Sequence, residues 1–167
     1  MKHTLPKFNF LIDLPVRNEW SNVDLLRISI LNCFTAIFAD MEGCHTFAMI
    51  AAELLENAIK YGKWDTATPL LHLRVWGQEQ EAAVQVENPV DPSSTAAESL
   101  LKTIDWLNSF TSPEAAYRER LLEVAKTPGK SGLVSRLGLT RIAYEGNCKL
   151  RAEFDGEHVR VTSTMHF

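Results

Sequence analysis

Residues 53 to 62 read Glu-Leu-Leu-Glu-Asn-Ala-Ile-Lys-Tyr-Gly. On a helix turning ~100° per residue, Glu53, Asn57 and Lys60 fall within a wedge of about 60°. Phe47, Ile50, Leu54, Ala58 and Tyr61 form an apolar stripe beside it. A carboxylate, a carboxamide and an ammonium in one row supply a proton acceptor, an oxygen ligand for a hard cation and a phosphate-facing charge. That set suits a Mg-nucleotide. A solvated helix edge on which Glu and Lys support one another has the same spacing, so spacing alone leaves both readings open.

A second stretch, Thr127-Pro128-Gly129-Lys130-Ser131-Gly132, invites comparison with a phosphate-binding P-loop. That motif needs a glycine five residues before Gly129, where Val124 stands, and a preceding strand, where the pattern is helical. The segment reads better as a glycine-rich opening to a helix. Gly132 frees the backbone, Lys130 adds charge, and the first amides of the helix can face a phosphate. A flexible loop capped by Ser131 is the alternative.

The elements that would position these groups follow from periodicity. Phe8, Phe10, Ile12 and Leu14 alternate with Asn9, Leu11 and Asp13, which predicts a strand before Pro15. From a cap at Ser21, apolar residues recur at helical spacing and predict a helix ending near 41–43; the motif helix runs from about His45 to Tyr61, with Gly62 as its stop. Strands are expected at 70–76 and 83–87, joined by a turn at 77–80. Two helices follow, one bearing Leu100, Leu101, Ile104, Leu107 and Phe110, the other starting at Ser112-Pro113. A helix over about 133–144 and strands at 149–154 and 158–165, turning at Asp155-Gly156, complete the chain. This order predicts an α+β two-layer sandwich, with helices on one face of a mainly antiparallel sheet.

At 167 residues, 46% apolar and 23% charged, the chain is expected to fold as a single domain spanning 1–167. A net charge of -4, from 17 Lys plus Arg against 21 Asp plus Glu, gives no electrostatic case for nucleic acid and favours a protein partner or small ligand. Cys33, Cys44 and Cys148 have no paired spacing that suits zinc or a redox motif, and the five histidines are scattered. The first residues lack the apolar core of a signal peptide and no 18-residue uncharged apolar run occurs, so a cytoplasmic protein without a membrane span is expected.

The stretch from Glu53 to Gly62 resembles the N-box of the histidine-kinase-like (GHKL, Bergerat-fold) ATPases. Their pattern is Glu or Asn, three residues, Asn-Ala, then a Lys/His-Tyr/Phe-Gly ending. The version opening on Glu is most similar to the bacterial anti-sigma-factor serine kinases of the SpoIIAB and RsbW kind. The resemblance implies that Glu53 is a general base, that Asn57 holds Mg2+ and that Lys60 lies near the phosphates. The run from Gly132 to Ala143 is similar to the family's Gly-x-Gly-Leu-Gly-Leu phosphate loop and following helix, in particular to SiaB-like partner-switching kinases, which share a long helical insertion before it. Lys130, Gly132, Arg136 and Gly138 become nucleotide-binding positions on this basis, although Val134 to Arg136 replace the glycine-rich centre.

The family's Asp-x-Gly-x-Gly adenine box should follow the second hairpin strand, where the chain reads Val86-Glu87-Asn88-Pro89-Val90-Asp91. Asn88 occupies the Asp slot. Its carboxamide oxygen can accept from an exocyclic amine, but it is uncharged and can flip; Asp91 is the alternative acceptor. The resemblance therefore implies ATP and Mg2+ as cofactors. It also implies a serine/threonine protein kinase or anti-sigma-type regulator that phosphorylates or sequesters a partner protein, itself like a sigma factor or an anti-sigma antagonist, and it allows a homodimer. The intact N-box favours turnover; the altered adenine box favours a protein-binding module that has lost it. The segment at about 89–132 is expected to form a helical lid, with Trp106, Phe110 and Tyr117 contacting a partner or packing the lid onto the domain.

Overall fold

Five segments with period-two alternation become strands. In a computed structural model, which describes residues 5–15, 23–37, 41–65, 70–126 and 131–166, they are β1 (Leu5–Pro15), β2 (Leu70–Glu79), β3 (Glu81–Pro89), β4 (Cys148–Phe154) and β5 (His158–His166). They form one sheet in the order β1-β2-β3-β5-β4, antiparallel at every pairing. The helices are α1 (Val23–Ile37), α2 (Met41–Tyr61), α3 (Ala96–Asn108), α4 (Pro113–Lys126) and α5 (Ser131–Glu145).

Successive side chains on a strand point to opposite faces, and here one face is buried under the helices. Leu73, Val86 and Val161 stand side by side on β2, β3 and β5 and are all buried. One residue along, on the other face, the row reads Asp13, His72, Glu87, Arg160, Glu153 across all five strands. His72 bonds Asp13 at 2.6 Å, and Arg160 bonds Glu87 at 2.6 Å and Glu153 at 3.3 Å. A one-residue slip would carry this charged row into the core, so it fixes register more than it adds stability.

Several element boundaries differ from expectation, and α1 ends at Ile37 rather than near 41–43, residues that belong to α2. α2 begins at Met41, not His45, with Gly43 inside its first turn. Burial there outweighs the roughly 1 kcal/mol helix penalty of a glycine: Cys44 and Phe47 are buried, and Phe47 stacks on Phe34 of α1 with ring centroids 4.9 Å apart. The β2–β3 turn is tighter than 77–80, because Gly77 stays in the ladder opposite Ala82. A Cβ at Gly77 would lie 2.6 Å from the Phe8 ring, so the glycine makes room for an aromatic from β1, and the chain reverses at Glu79, whose φ is 57°. α3 stops at Asn108, leaving Phe110 beyond it. The expected Ser21 cap lies outside the described residues.

Elsewhere the turn chemistry is as expected. Ser112 Oγ accepts from the Ala115 amide at 3.2 Å, capping α4. At the β4–β5 turn Asp155 accepts from the amides of Glu157 and His158, which hold its carboxyl below the usual range, and Gly156 takes φ 104°.

Candidate functional site

α2 leaves its last turn under tight constraint. The Gly62 amide donates to Ala58 O at 2.8 Å, and the Trp64 indole folds back to donate to Ile59 O at 2.8 Å. A Cβ at Gly62 would sit 2.4 Å from the Trp64 ring, so this glycine permits a close approach. The Lys63 amide then donates to Pro89 O at 2.8 Å, tying the end of α2 to the end of β3. Asn88 is thereby brought beside the C-terminal turns of the motif helix.

Between these elements lies a cavity of about 230 Å³. Val86, Val159 and Val161 form its floor, Asn57 and Tyr61 of α2 one side, Ser99, Leu100 and Thr103 of α3 the other, and Leu139 of α5 closes it. Its lining is mostly apolar, and among the described residues no charged side chain contributes to it. The polar residues are few: Asn57, Asn88, Tyr61, Ser99, and Thr103, whose hydroxyl donates to Ser99 O at 2.7 Å.

Asn88 is buried, 5% exposed, and its Nδ2 donates to Pro89 O at 3.1 Å. A carbonyl can only accept, so the NH2 end must face Pro89 and the flip open to a free Asn is removed. What Asn88 offers the cavity is Oδ1, an acceptor. Asp91 does not line the cavity; its carboxylate closes a turn by accepting from the Ser93 hydroxyl at 2.7 Å and the Ser93 amide at 2.9 Å, which hold it below the usual carboxylate range.

Glu53 lies one helical turn from Asn57, toward the start of α2. Its Oε1 is paired with Nη2 of Arg141 on α5, and a Cβ at Gly138 would stand 2.7 Å from its Oε2. Gly138 is thus part of the site through Glu53. Two donors here, Nδ2 of Asn57 and Nε of Arg141, are buried and have no hydrogen-bond acceptor among the described residues. Lys60 does not line the cavity; its ammonium rests 5.2 Å from the centroid of the Tyr61 ring. Lys130 lies outside the described residues, as do the side-chain surroundings of Gly132 and Arg136, which are placed only as positions on α5.

The structure thus brings Asn57 and Asn88 to one cavity and Glu53 and Gly138 to one contact. Sequence reasoning missed Arg141 and the α3 wall. The i,i+4 pair Ser99 and Thr103 was the only local sign of a polar lining on α3. The lid aromatics are engaged within the chain: Trp106 meets Phe110 edge-on at 4.7 Å and carries the Arg120 guanidinium 3.9 Å above its ring, and Tyr117 stacks on Tyr144 of α5 at 5.0 Å.

No helix of the described residues is long and apolar enough to cross a membrane. Among them, no cluster of three His, Cys, Asp or Glu could hold a metal. The sequence matches no family model and no curated protein. In structure the chain is similar to one from the crystal structure of the SiaB–SiaC complex of Pseudomonas aeruginosa, with a TM-score of 0.67 at 17% identity over 98% of this chain and 92% of that one. At that identity the likeness is one of fold.

Proposed function

We propose that the chain is an adenine-nucleotide-binding regulator that acts on a partner protein, of the partner-switching kind. The observation that carries the reading is the order of groups beside and along α2: an acceptor at Asn88 on β3, an apolar cavity, then Asn57 on α2 and Glu53 one turn toward its start. The cavity is below the usual 300–1,000 Å³ of a whole-ligand site, which suits a planar base with its phosphates outside. The 6-amino group of adenine satisfies Asn88 Oδ1; guanine in the same pose would place its O6 there and set acceptor against acceptor.

Toward Mg2+, the residues fit a modest role. Mg2+ keeps several waters and takes one or two protein oxygens plus phosphates, so Asn57 Oδ1 suffices without a carboxylate cage. When bound, the ion would neutralise phosphate charge. Asn57 Nδ2, buried and without an acceptor among the described residues, suits a phosphate oxygen beside it. The similarity to a chain of the SiaB–SiaC complex supports a protein as the second ligand.

In the first reading Glu53 takes the proton of a partner hydroxyl that receives a phosphoryl group. A second reading, a module that binds nucleotide or partner without turnover, is favoured by the Glu53–Arg141 pair, because the guanidinium occupies a carboxylate oxygen that an incoming hydroxyl proton would need. Thermal shift with ADP, ATP and GTP, each with and without Mg2+, tests the common premise. A ligand at a hundred times its Kd adds about 2.7 kcal/mol. Adenine nucleotides should raise Tm and GTP should not. Silence from all three overturns nucleotide binding and leaves the protein-binding module.

A further inference from the structure

Two features near Glu53 are unexplained by a base pocket alone. Arg141 spends one N–H on Glu53 Oε1, while its Nε–H is buried without an acceptor among the described residues. On the facing helix, one turn from Glu53, Asn57 Nδ2 is in the same condition. A buried donor without an acceptor costs on the order of 1–3 kcal/mol, more when it belongs to a charged group. Two of them flanking one carboxylate, one on the wall of a cavity that contributes no charge and one beyond it on α5, describe a place for an acceptor-rich anion. Glu53 by itself would repel such an anion. The guanidinium on its Oε1 cancels that charge, and Gly138, having no Cβ, lets the carboxylate lie against α5.

We propose that Arg141 is the anion-reading residue of this site, bridging Glu53 through Nη2 and the outermost phosphate of the bound nucleotide through Nε. The inference rests on the nucleotide reading for its choice of ligand, since the line from Asn88 through Asn57 puts the phosphate end of a nucleotide on the Glu53 side. Arg141 gives one charge-assisted hydrogen bond to the last phosphate and shields it from Glu53, so the preference for a triphosphate over a diphosphate is set here and not in the cavity.

The test compares wild type with Arg141→Gln, Arg141→Lys, Glu53→Gln and the Arg141→Gln/Glu53→Gln double variant, by calorimetric titration with adenosine, ADP, ATP and inorganic tripolyphosphate, after circular dichroism has shown each to be folded. Arg141→Gln should lower ATP affinity roughly ten- to a hundred-fold, the worth of a charge-assisted hydrogen bond, and leave adenosine unchanged. Arg141→Lys should recover part of the loss. Glu53→Gln should hold or raise ATP affinity, and in the double variant it should offset part of the Arg141→Gln loss, a coupling that the cycle measures. If Arg141 only staples α5 to α2, its loss lowers adenosine and ATP affinity alike, and the proposal is overturned. Equal ATP-to-ADP ratios in all variants overturn it too, with nucleotide binding intact. Should adenosine and nucleotides fail to bind wild type while tripolyphosphate binds in an Arg141-dependent way, the nucleotide reading falls and the anion site stands. If tripolyphosphate also fails, both fall.

Discussion

The carbonyl oxygen of Pro89 accepts from both the Lys63 amide and the Asn88 carboxamide, and this shared acceptor fixes which end of Asn88 faces the cavity. Asn88→Ala removes one neutral hydrogen bond to a ligand, worth about 0.5–1.5 kcal/mol, so adenosine affinity should fall roughly two- to ten-fold. Asn57→Ala should instead lower ATP affinity more than adenosine affinity and abolish the Mg2+ dependence of ATP binding. Titrations with and without Mg2+ separate the two roles, and an undiminished Mg2+ effect in Asn57→Ala removes that residue from metal binding. The row of Glu53 and Asn57 was legible in the sequence because helical period alone aligns them. Arg141 was not, because its partner is far away in the chain and no spacing rule links them. A third residue carries a pH effect. Burial pushes the Cys148 thiol up, and its Sγ lies 3.3 Å from Ile142 O. A group whose pKa is raised on folding stabilises the fold below the unfolded value, about 8.5 for a thiol, and loses that contribution as pH rises toward the folded one. Stability should therefore decline in mild alkali, and less steeply in Cys148→Ala; parallel alkaline melting curves would remove Cys148 as the cause.

At the scale of elements, the junction from α2 into β3 holds the site together. Gly62→Ala puts a methyl 2.4 Å from the Trp64 ring and 2.7 Å from the backbone oxygen of Ala58. The backbone cannot yield as a side-chain tip can, so a loss of about 1–3 kcal/mol is expected, together with weaker adenosine binding as Asn88 shifts. Chemical denaturation and titration on one sample check both. Most elements were readable from periodicity, and caps such as Ser112 and turns such as Asp155-Gly156 were readable from their chemistry. Gly43 and Gly77 misled because each looks like punctuation. Their true environments, the Phe47–Phe34 stack and the Phe8 ring, are contacts between distant segments that override local preference. The lid follows the same logic. An amphipathic α3 was evident, but that its Ser99–Thr103 side would wall a cavity depended on where β4 and α5 receive it. Asn108 donates to Leu150 O at 2.9 Å, docking the far end of α3 on β4. Its first turns, which touch the cavity, should gain amide protection on nucleotide binding while its docked end changes little. Hydrogen exchange equal along α3 and unmoved by ATP would make the helix a fixed wall and remove the lid from the mechanism.

For the molecule as a whole, the order β1-β2-β3-β5-β4 has a further consequence. β5 follows the other four described strands in the sequence, yet it is an interior strand, hydrogen-bonded to β3 on one side and β4 on the other. Val159 and Val161, two of the three valines on the cavity floor, arrive with it. β1, β2 and β3 are joined in sequence order and can zip locally around α1 and α2, but β3 keeps an unpaired edge and β4 an unpaired flank until β5 slots between them. Until β5 is in place the strand order leaves a seam between β3 and β4, apolar on one side, and an open edge of that kind invites pairing with other chains. Ligand cannot stabilise this nascent form, because its binding site is built by the strand that closes the seam. A nucleotide, if it protects the protein in the cell, protects only molecules whose synthesis has passed β5.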